Sequence, residues 1–441
     1  MSAPLRVALA GVGTVGAGVV RLLDTNAALV EARAGRPIEV VAVSARDRSK
    51  DRGIDLGRFA WCDDMTAMAA RDDVDAVVEL VGGADGPALT LARNTLAGRK
   101  ALVTANKAMI AHHGLALAEA AERAGVPLRF EAAVAGGIPV IKGLREGAAA
   151  NALTRVQGIL NGTCNFILST MEDTGRDFAD VLAEAQARGF AEADPTLDIE
   201  GIDAGHKLAI LAALAFGIRL DLATVACDGI ARVRAADIAR ARDLGFVIRL
   251  VGEADVEATG AGAPRLLQRV RPCLVPQDHP LAHVDGPTNA VVAEGNFSGR
   301  LLFQGAGAGD GPTASAVVAD LIDIARGMES RAGTGCPFSV PVADLVAADP
   351  ADAGARTGRS YIRFTVADRT GVLAEITAAM RDAGVSIESF IQHGQPDSHG
   401  NVLVAMVTHE GPERCVDKAT ELLDGSPSLT ARPLVMPILE A

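Results

Sequence analysis

Leu5-Arg6-Val7-Ala8-Leu9-Ala10 runs directly into Gly11-Val12-Gly13-Thr14-Val15-Gly16, and a helical pattern continues through residues 17–29, AGVVRLLDTNAAL. The apolar hexad reads as a short buried strand, so the glycines fall between a strand and a helix. In that setting GxGxxG has a mechanical meaning. Gly11 permits the tight turn, Gly13 lets the backbone approach a pyrophosphate, and Gly16 allows close helix–strand packing. The phosphates would lie at the helix N-terminus, where unpaired N–H groups point outward. Glycine is common in this chain, at 47 residues, so a purely structural turn is the other reading. The strand-to-helix context favours a dinucleotide site, with Gly11, Gly13, Thr14, Val15 and Gly16 as its candidate contacts.

Ile38 to Val43 is the expected second strand. An NAD-preferring site ends this strand with Asp or Glu to hold the ribose diol. Here Ser44, Ala45 and Arg46 follow, with Arg48 and Lys50 beyond. Arg46 can neutralise a 2′-phosphate, so NADP is expected ahead of NAD, the alternative being a solvated loop arginine. Residues 74–80 and 101–103 read as further strands of a parallel sheet, with a crossover helix between them that ends near Gly98. Thr104-Ala105-Asn106-Lys107 follows the later strand, at the carboxyl end where doubly wound sheets bind ligands. Lys107 is therefore either a site residue or a surface lysine. Gly136, Gly137 and Pro139 suit a domain hinge, in which Glu131 needs a backbone donor, a base or a cation.

At 441 residues the chain predicts about three domains. Hydrophobic residues at 49% and charged residues at 22% describe globular protein. Aromatic residues at 3% leave little for stacking bases. The net charge of -13 is uneven: residues 1–130 carry 16 Lys and Arg against 15 Asp and Glu, whereas 131–359 carry 20 against 29. No segment has the basic field of a nucleic-acid binder, and none is expected as a partner. The near-neutral first part suits an anionic ligand. Six cysteines stand singly at 62, 164, 227, 273, 336 and 415, with no metal-type spacing. That predicts a reduced, cytoplasmic protein without a transition metal. There is no signal-peptide pattern, and no apolar run is long enough to span a membrane.

The densest chemistry lies in Asn161-Gly162-Thr163-Cys164-Asn165 and in residues 192–207, EADPTLDIEGIDAGHK. A helix is expected from Ile202, which puts Asp203 and Lys207 on one face. A half-buried lysine beside a carboxylate can donate and accept a proton, although a plain surface ion pair has the same spacing. The acidic stretch from Glu192 to Glu200 is a solvated turn or a pocket wall for an ammonium group. Cys164 could be a nucleophile, as in an acylating aldehyde dehydrogenase, but no histidine is near it in sequence and a packed small residue is preferred. The sole tyrosine, Tyr361, is too far along the chain to serve a site built upstream. His206 does not share the face of Lys207, which points to packing. The glycine run 305–311 leads into a helix and could line the cofactor pocket or merely return the chain to the first domain. Residues 342–359 read as linker, and 360–441 as a βαββαβ module whose Pro433 and Pro437 suit an edge strand.

Taken together the motifs resemble homoserine dehydrogenase in its monofunctional form with a C-terminal ACT domain, and the likeness covers nearly the whole chain. It rests on GVGTVG at 11–16, TANKA at 104–108, EAAVAGGIPVI at 131–141 and NGTCNFIL at 161–168. The most specific element is EADPTLDIEGIDAGHKL at 192–208. The resemblance implies an α/β fold: a Rossmann domain over 1–131 with a return segment at 306–330, and an α+β substrate and dimerisation domain over 132–305. A linker over 331–359 and an ACT domain over 360–441 complete it. It implies reversible reduction of L-aspartate 4-semialdehyde to L-homoserine with NAD(P)H, on the route to threonine, methionine and isoleucine. Lys207 and Asp203 would be catalytic, Glu192, Asp198 and Lys107 substrate-binding, and Lys107 and Gly309 cofactor-binding. Glu131, Val134, Gly136 and Ile138 match a monovalent cation site, usually sodium, liganded partly by backbone carbonyls. Threonine as effector near Asp368–Gly371 and a homodimer or homotetramer are implied too. Two rivals are another NADP-linked oxidoreductase, which has no reason to carry the 192–207 pattern, and a nucleotide-sensing regulator without turnover.

Overall fold

The computed structural model describes residues 3–260, 262–327, 335–393 and 400–440. Its first sheet is parallel throughout, in the order Ala60–Trp61, Ile38–Ser44, Leu5–Ala10, Ala76–Glu79, Ala101–Thr104 and Leu128–Arg129. Val7, Leu9, Ala76 and Val78 face one helical layer and Ala8, Ala10 and Val77 the other, which is why these strands are almost wholly apolar. This 3-2-1-4-5-6 order is the doubly wound one. The winding reverses between Leu5–Ala10 and Ala76–Glu79, and the crevice at their carboxyl ends is where such sheets take ligands.

The pattern expected to run unbroken past Gly16 is two helices, Thr14–Thr25 and Ala27–Ala34, divided at Asn26, whose φ of -108° and ψ of 22° interrupt the helix. Pro87–Ala97 is the expected crossover, with proline at its first turn and Gly98 after its end. Asp310–Gly327, the helix expected after the glycine run, returns to this domain. It crosses Thr14–Thr25 closely because Gly18 has no side chain: a Cβ there would lie 2.8 Å from the Asp310 carbonyl oxygen.

The second sheet runs Gly299–Ala306, Thr288–Gly295, Leu153–Ile159, Phe246–Glu257, Arg265–Pro276 and Asp349–Pro350, with Ala226–Cys227 also paired to Arg265–Pro276. Gly162–Thr174 and Ile202–Phe216 cover one face. The latter helix is apolar nearly all round, and eleven of its fifteen residues are buried. A third sheet is antiparallel, in the order Ile387–His393, Asn401–Thr408, Ser360–Ala367 and Leu429–Pro437. With helices Val372–Ala383 and Glu413–Leu422 it forms the expected βαββαβ, and the proline-bearing strand lies at the edge.

The segment expected to be a linker is not a loose tether. Phe338, Val342 and Leu345 are buried in the main core, and Asp349–Pro350 pairs with Arg265 and Leu266. Arg356 reaches Glu253 and Asp255, each at 2.7 Å. Residues 331–334 lie outside the described residues. Small and polar composition reports local propensity, whereas a few apolar anchors decide where the segment packs. One face of the third sheet is likewise covered: Tyr361, Val407 and Met436 join Ile238 and Ala241 in the main core. Asp237, fully buried, accepts from the Tyr361 hydroxyl at 3.0 Å and pairs with Arg363. Beyond that sheet, Ile438 forms a bridge with Leu274 of the second sheet.

Candidate active site

The glycine turn is shaped for close approach. Gly11 has φ +97°, and a Cβ on it would meet the Leu80 carbonyl oxygen at 2.8 Å. A Cβ on Gly16 would sit 2.2 Å from the Gly11 carbonyl oxygen, so any side chain there breaks the turn. Gly13 faces open space and caps the Thr14–Thr25 helix with no side-chain bond, leaving that end free for an anion. Together these features fit a dinucleotide. A cavity of about 1050 Å³ opens from this turn, lined by Gly11, Gly13, Thr14, Arg46 and Lys50 among others. Val15 and Gly16 do not line it. Gly309, with φ +117°, also lies off the lining, but the next residue, Asp310, holds Arg21 of the cavity wall at 2.7 Å. Arg52 was not singled out from sequence. Its guanidinium bonds the carbonyls of Val12, Asp47 and Lys50, tying the loop that carries Arg46 to the glycine turn.

Lys107, Asp203 and Lys207 meet where the first two domains touch. Asn106 caps the Lys107–Ala124 helix by accepting from Met109 N–H at 3.0 Å and donates to the Gly83 carbonyl at 2.7 Å, which fixes the start of that helix. Lys107 Nζ lies 2.8 Å from Asp203 Oδ1, and Lys207 Nζ lies 2.6 Å from Asp203 Oδ2. Lys207 also donates to the Leu160 carbonyl at 2.7 Å. Asn161, which sequence reasoning left out of the site, donates to Asp198 at 2.7 Å and to Asp203 at 3.0 Å. Its signal was available, since Asn followed by an apolar run marks a helix start. Glu192 is exposed and its carboxylate has no partner among the described residues, although its charge helps to hold the Lys107 proton.

Burial pushes the Lys207 ammonium below its ordinary value, and Asp203 opposes that fall. Burial alone would raise Asp203, but Lys207 and Lys107 outweigh it and hold the carboxyl well below the usual range. Asp198 is raised, chiefly by burial. The Cys164 thiol is pushed far up by burial and donates to the Asp198 carbonyl at 3.1 Å. It is a protonated packing group, not a thiolate nucleophile. His206 stacks edge-on against His112, with ring centroids 5.4 Å apart.

At the hinge, both Glu131 carboxylate oxygens accept amides, from Ile141 and Lys142, each at 2.9 Å. Burial and nearby Asp320 raise this carboxyl to about 7. Asp320, another residue unforeseen from sequence, accepts from the Glu131 amide at 2.9 Å. Ala135 and Gly136 are both left-handed, at φ +56°, so successive carbonyls turn sharply within a buried loop. Among the described residues no group of three or more His, Cys, Asp or Glu could hold a metal ion, and no helix is long and apolar enough to cross a membrane.

A dinucleotide crevice beside a buried lysine–carboxylate centre defines an NAD(P)-dependent oxidoreductase. Comparison with known proteins narrows the class. Residues 11–131 match the NAD-binding domain of homoserine dehydrogenase, 139–322 its catalytic family model, and 360–424 the ACT domain. Homoserine dehydrogenase of Pseudomonas aeruginosa is 42% identical over 422 residues, 96% of this chain and 95% of that one. The Corynebacterium glutamicum enzyme is 41% identical over 96% of this chain and 93% of its own. The crystal structure of a homoserine dehydrogenase from Thiobacillus denitrificans superposes with a TM-score of 0.91 at 39% identity, covering 99% of both chains. The chain belongs to the homoserine dehydrogenase family, whose reaction interconverts L-aspartate 4-semialdehyde and L-homoserine with a nicotinamide cofactor.

Proposed function

We propose that Lys207 is the group that protonates the alkoxide as the aldehyde is reduced and takes the hydroxyl proton in the reverse direction. One observation carries this reading. Two of the three ammonium N–H bonds of Lys207 are fixed, on Leu160 and Asp203, leaving a single donor for a reacting oxygen. The nicotinamide supplies hydride in reduction and accepts it in oxidation when bound. Asp203 sets the position and charge of both lysines. Lys107, from the first domain, closes the site across the domain boundary and serves the substrate and cofactor regions together. Glu192 pairs with the substrate α-ammonium, and Asp198 completes that wall.

NADP is the proposed cofactor over NAD, on the strength of Arg46 in the cavity wall and the lack of an acidic residue at the end of Ile38–Ser44. Gly11, Gly13, Thr14, Val15, Gly16 and Gly309 would form the backbone of the site. A monovalent cation, sodium, is proposed at Glu131, Val134, Gly136 and Ile138. The bonds made by the Glu131 carboxylate favour carbonyl ligation there. Threonine is the proposed effector of the C-terminal module near Asp368–Gly371. The working form is proposed to be a cytoplasmic homodimer or homotetramer. The decisive assay follows reduced nicotinamide with L-homoserine and either NADP+ or NAD+, with and without threonine. Lys207→Met should abolish turnover and keep cofactor affinity, and an active Lys207→Met enzyme would overturn the assignment. Arg46→Ala should raise KM for NADP+ and leave KM for NAD+ unchanged.

A further inference from the structure

Asn161 joins the two halves of the site that face each other across the substrate wall. It stands between the Leu153–Ile159 strand and the Gly162–Thr174 helix and is buried. Its Oδ1 accepts the Cys164 amide at 2.8 Å, which fixes the orientation of the side-chain amide. Nδ2 must then point the other way, and its two hydrogens reach Asp198 Oδ1 at 2.7 Å and Asp203 Oδ2 at 3.0 Å. Asp203 Oδ2 is the same oxygen that holds Lys207. The Leu160 carbonyl, the second acceptor for Lys207, belongs to the preceding residue.

We infer that Asn161 is a positioning residue: it locks Asp203 and the Leu160 carbonyl into the pair of acceptors that aims the last Lys207 donor at the reacting oxygen. Without the side-chain amide, two carboxylates from different elements confront each other with nothing between them. Asp203 then turns about its own side-chain bonds, and Lys207 follows it. The inference rests on Lys207 as the proton-transfer group. The charged and titratable groups facing this point are Lys107, Asp198, Asp203, His206, Lys207 and Cys164, from four elements.

Serine and aspartate also cap helices well, so they separate the two jobs of Asn161. Asn161→Ser keeps the cap and loses the amide donors. It should lower kcat roughly 30-fold, as expected for losing a hydrogen bond to a charged group, with NADP+ affinity and the unfolding midpoint near wild type. Asn161→Asp keeps the cap and adds a negative charge beside Lys207. It should move the rising limb of kcat against pH, in homoserine oxidation, to higher pH. A kcat for Asn161→Ser within threefold of wild type, an effect on KM alone, or an unmoved Asn161→Asp profile overturns the inference. So does a kcat loss that tracks a loss of cooperative unfolding. Lys207→Met, assayed beside them, separates the cases: if it stays active the parent reading fails, and if it alone is dead only the role of Asn161 fails.

Discussion

Replacing Asp203 by Asn removes the carboxylate that bonds both site lysines, and it keeps the volume. In the wild type, Asp203 lies 2.6 Å from Lys207 and 2.8 Å from Lys107, and Lys207 is 7% exposed. At an effective dielectric of about 20, one such contact is worth at most ~6 kcal/mol, and breaking a buried pair typically costs about 3–5 kcal/mol. Without that carboxylate the Lys207 ammonium loses its main opposing charge, and its pKa falls. Burial already lowers it, so the shift adds to an existing one. With Lys207 as the proposed proton acceptor, homoserine oxidation needs its neutral amine, and the rate rises as pH passes through the Lys207 value. That limb should move to lower pH in Asp203→Asn. The plateau should fall by roughly 10²-fold or more, because Lys207 loses its orientation. Aldehyde reduction needs the ammonium form, so its falling limb should move down by the same amount. The assay is kcat/KM in both directions from neutral to strongly alkaline pH, with unfolding checked at each end. An oxidation limb that stays put or moves to higher pH would refute the electrostatic role given to Asp203.

Three further outcomes follow from the same geometry. Gly16→Ala places a Cβ 2.2 Å from the Gly11 carbonyl oxygen, and titration should show NADP+ affinity falling about 100-fold, by analogy with overpacked sites. Arg363→Met leaves Asp237 buried without its cation, which should cost about 3 kcal/mol or more in urea unfolding. The same variant should speed amide exchange in Ala235–Asp243. His279 is buried, and burial together with Arg300 lowers it to about 4. Its unfolded value is near 6.5, so the unfolded chain binds the extra proton as pH falls from about 6.5 to about 4, and up to about 3 kcal/mol of stability is lost across that window. His279→Asn keeps an acceptor for the Leu281 amide, and urea midpoints compared at neutral and acidic pH should show a shallower loss.

The glycine turn, the Asp203–Lys207 pair and the βαββαβ module were legible because each is local: residues a few positions apart fix a turn, a helix face or a strand alternation. Lys107 was legible as a strand-end residue, but its contact with Asp203 was not, since the two are brought together only by packing of separate domains. Asn161 opens the quoted motif and Leu160 stands just before it, and both were missed for a different reason. Leu160 acts through a backbone carbonyl, which no residue type advertises, and Asn161 was quoted with its motif but given no role of its own. The packed course of residues 335–359 was illegible because a short apolar anchor such as Phe338 stands out against nothing in an Ala-rich stretch.

The docking of the third sheet also bears on recombination between relatives. A chimera joined just before Ser360 exchanges more than a detachable module. The incoming sheet must present an apolar face matching Ile238 and Ala241, a cation for Asp237 and a final strand able to lead to Leu274. The C-terminal module of such a chain is inherited with its socket, and a grafted module without that face would leave Asp237 buried with no cation beside it.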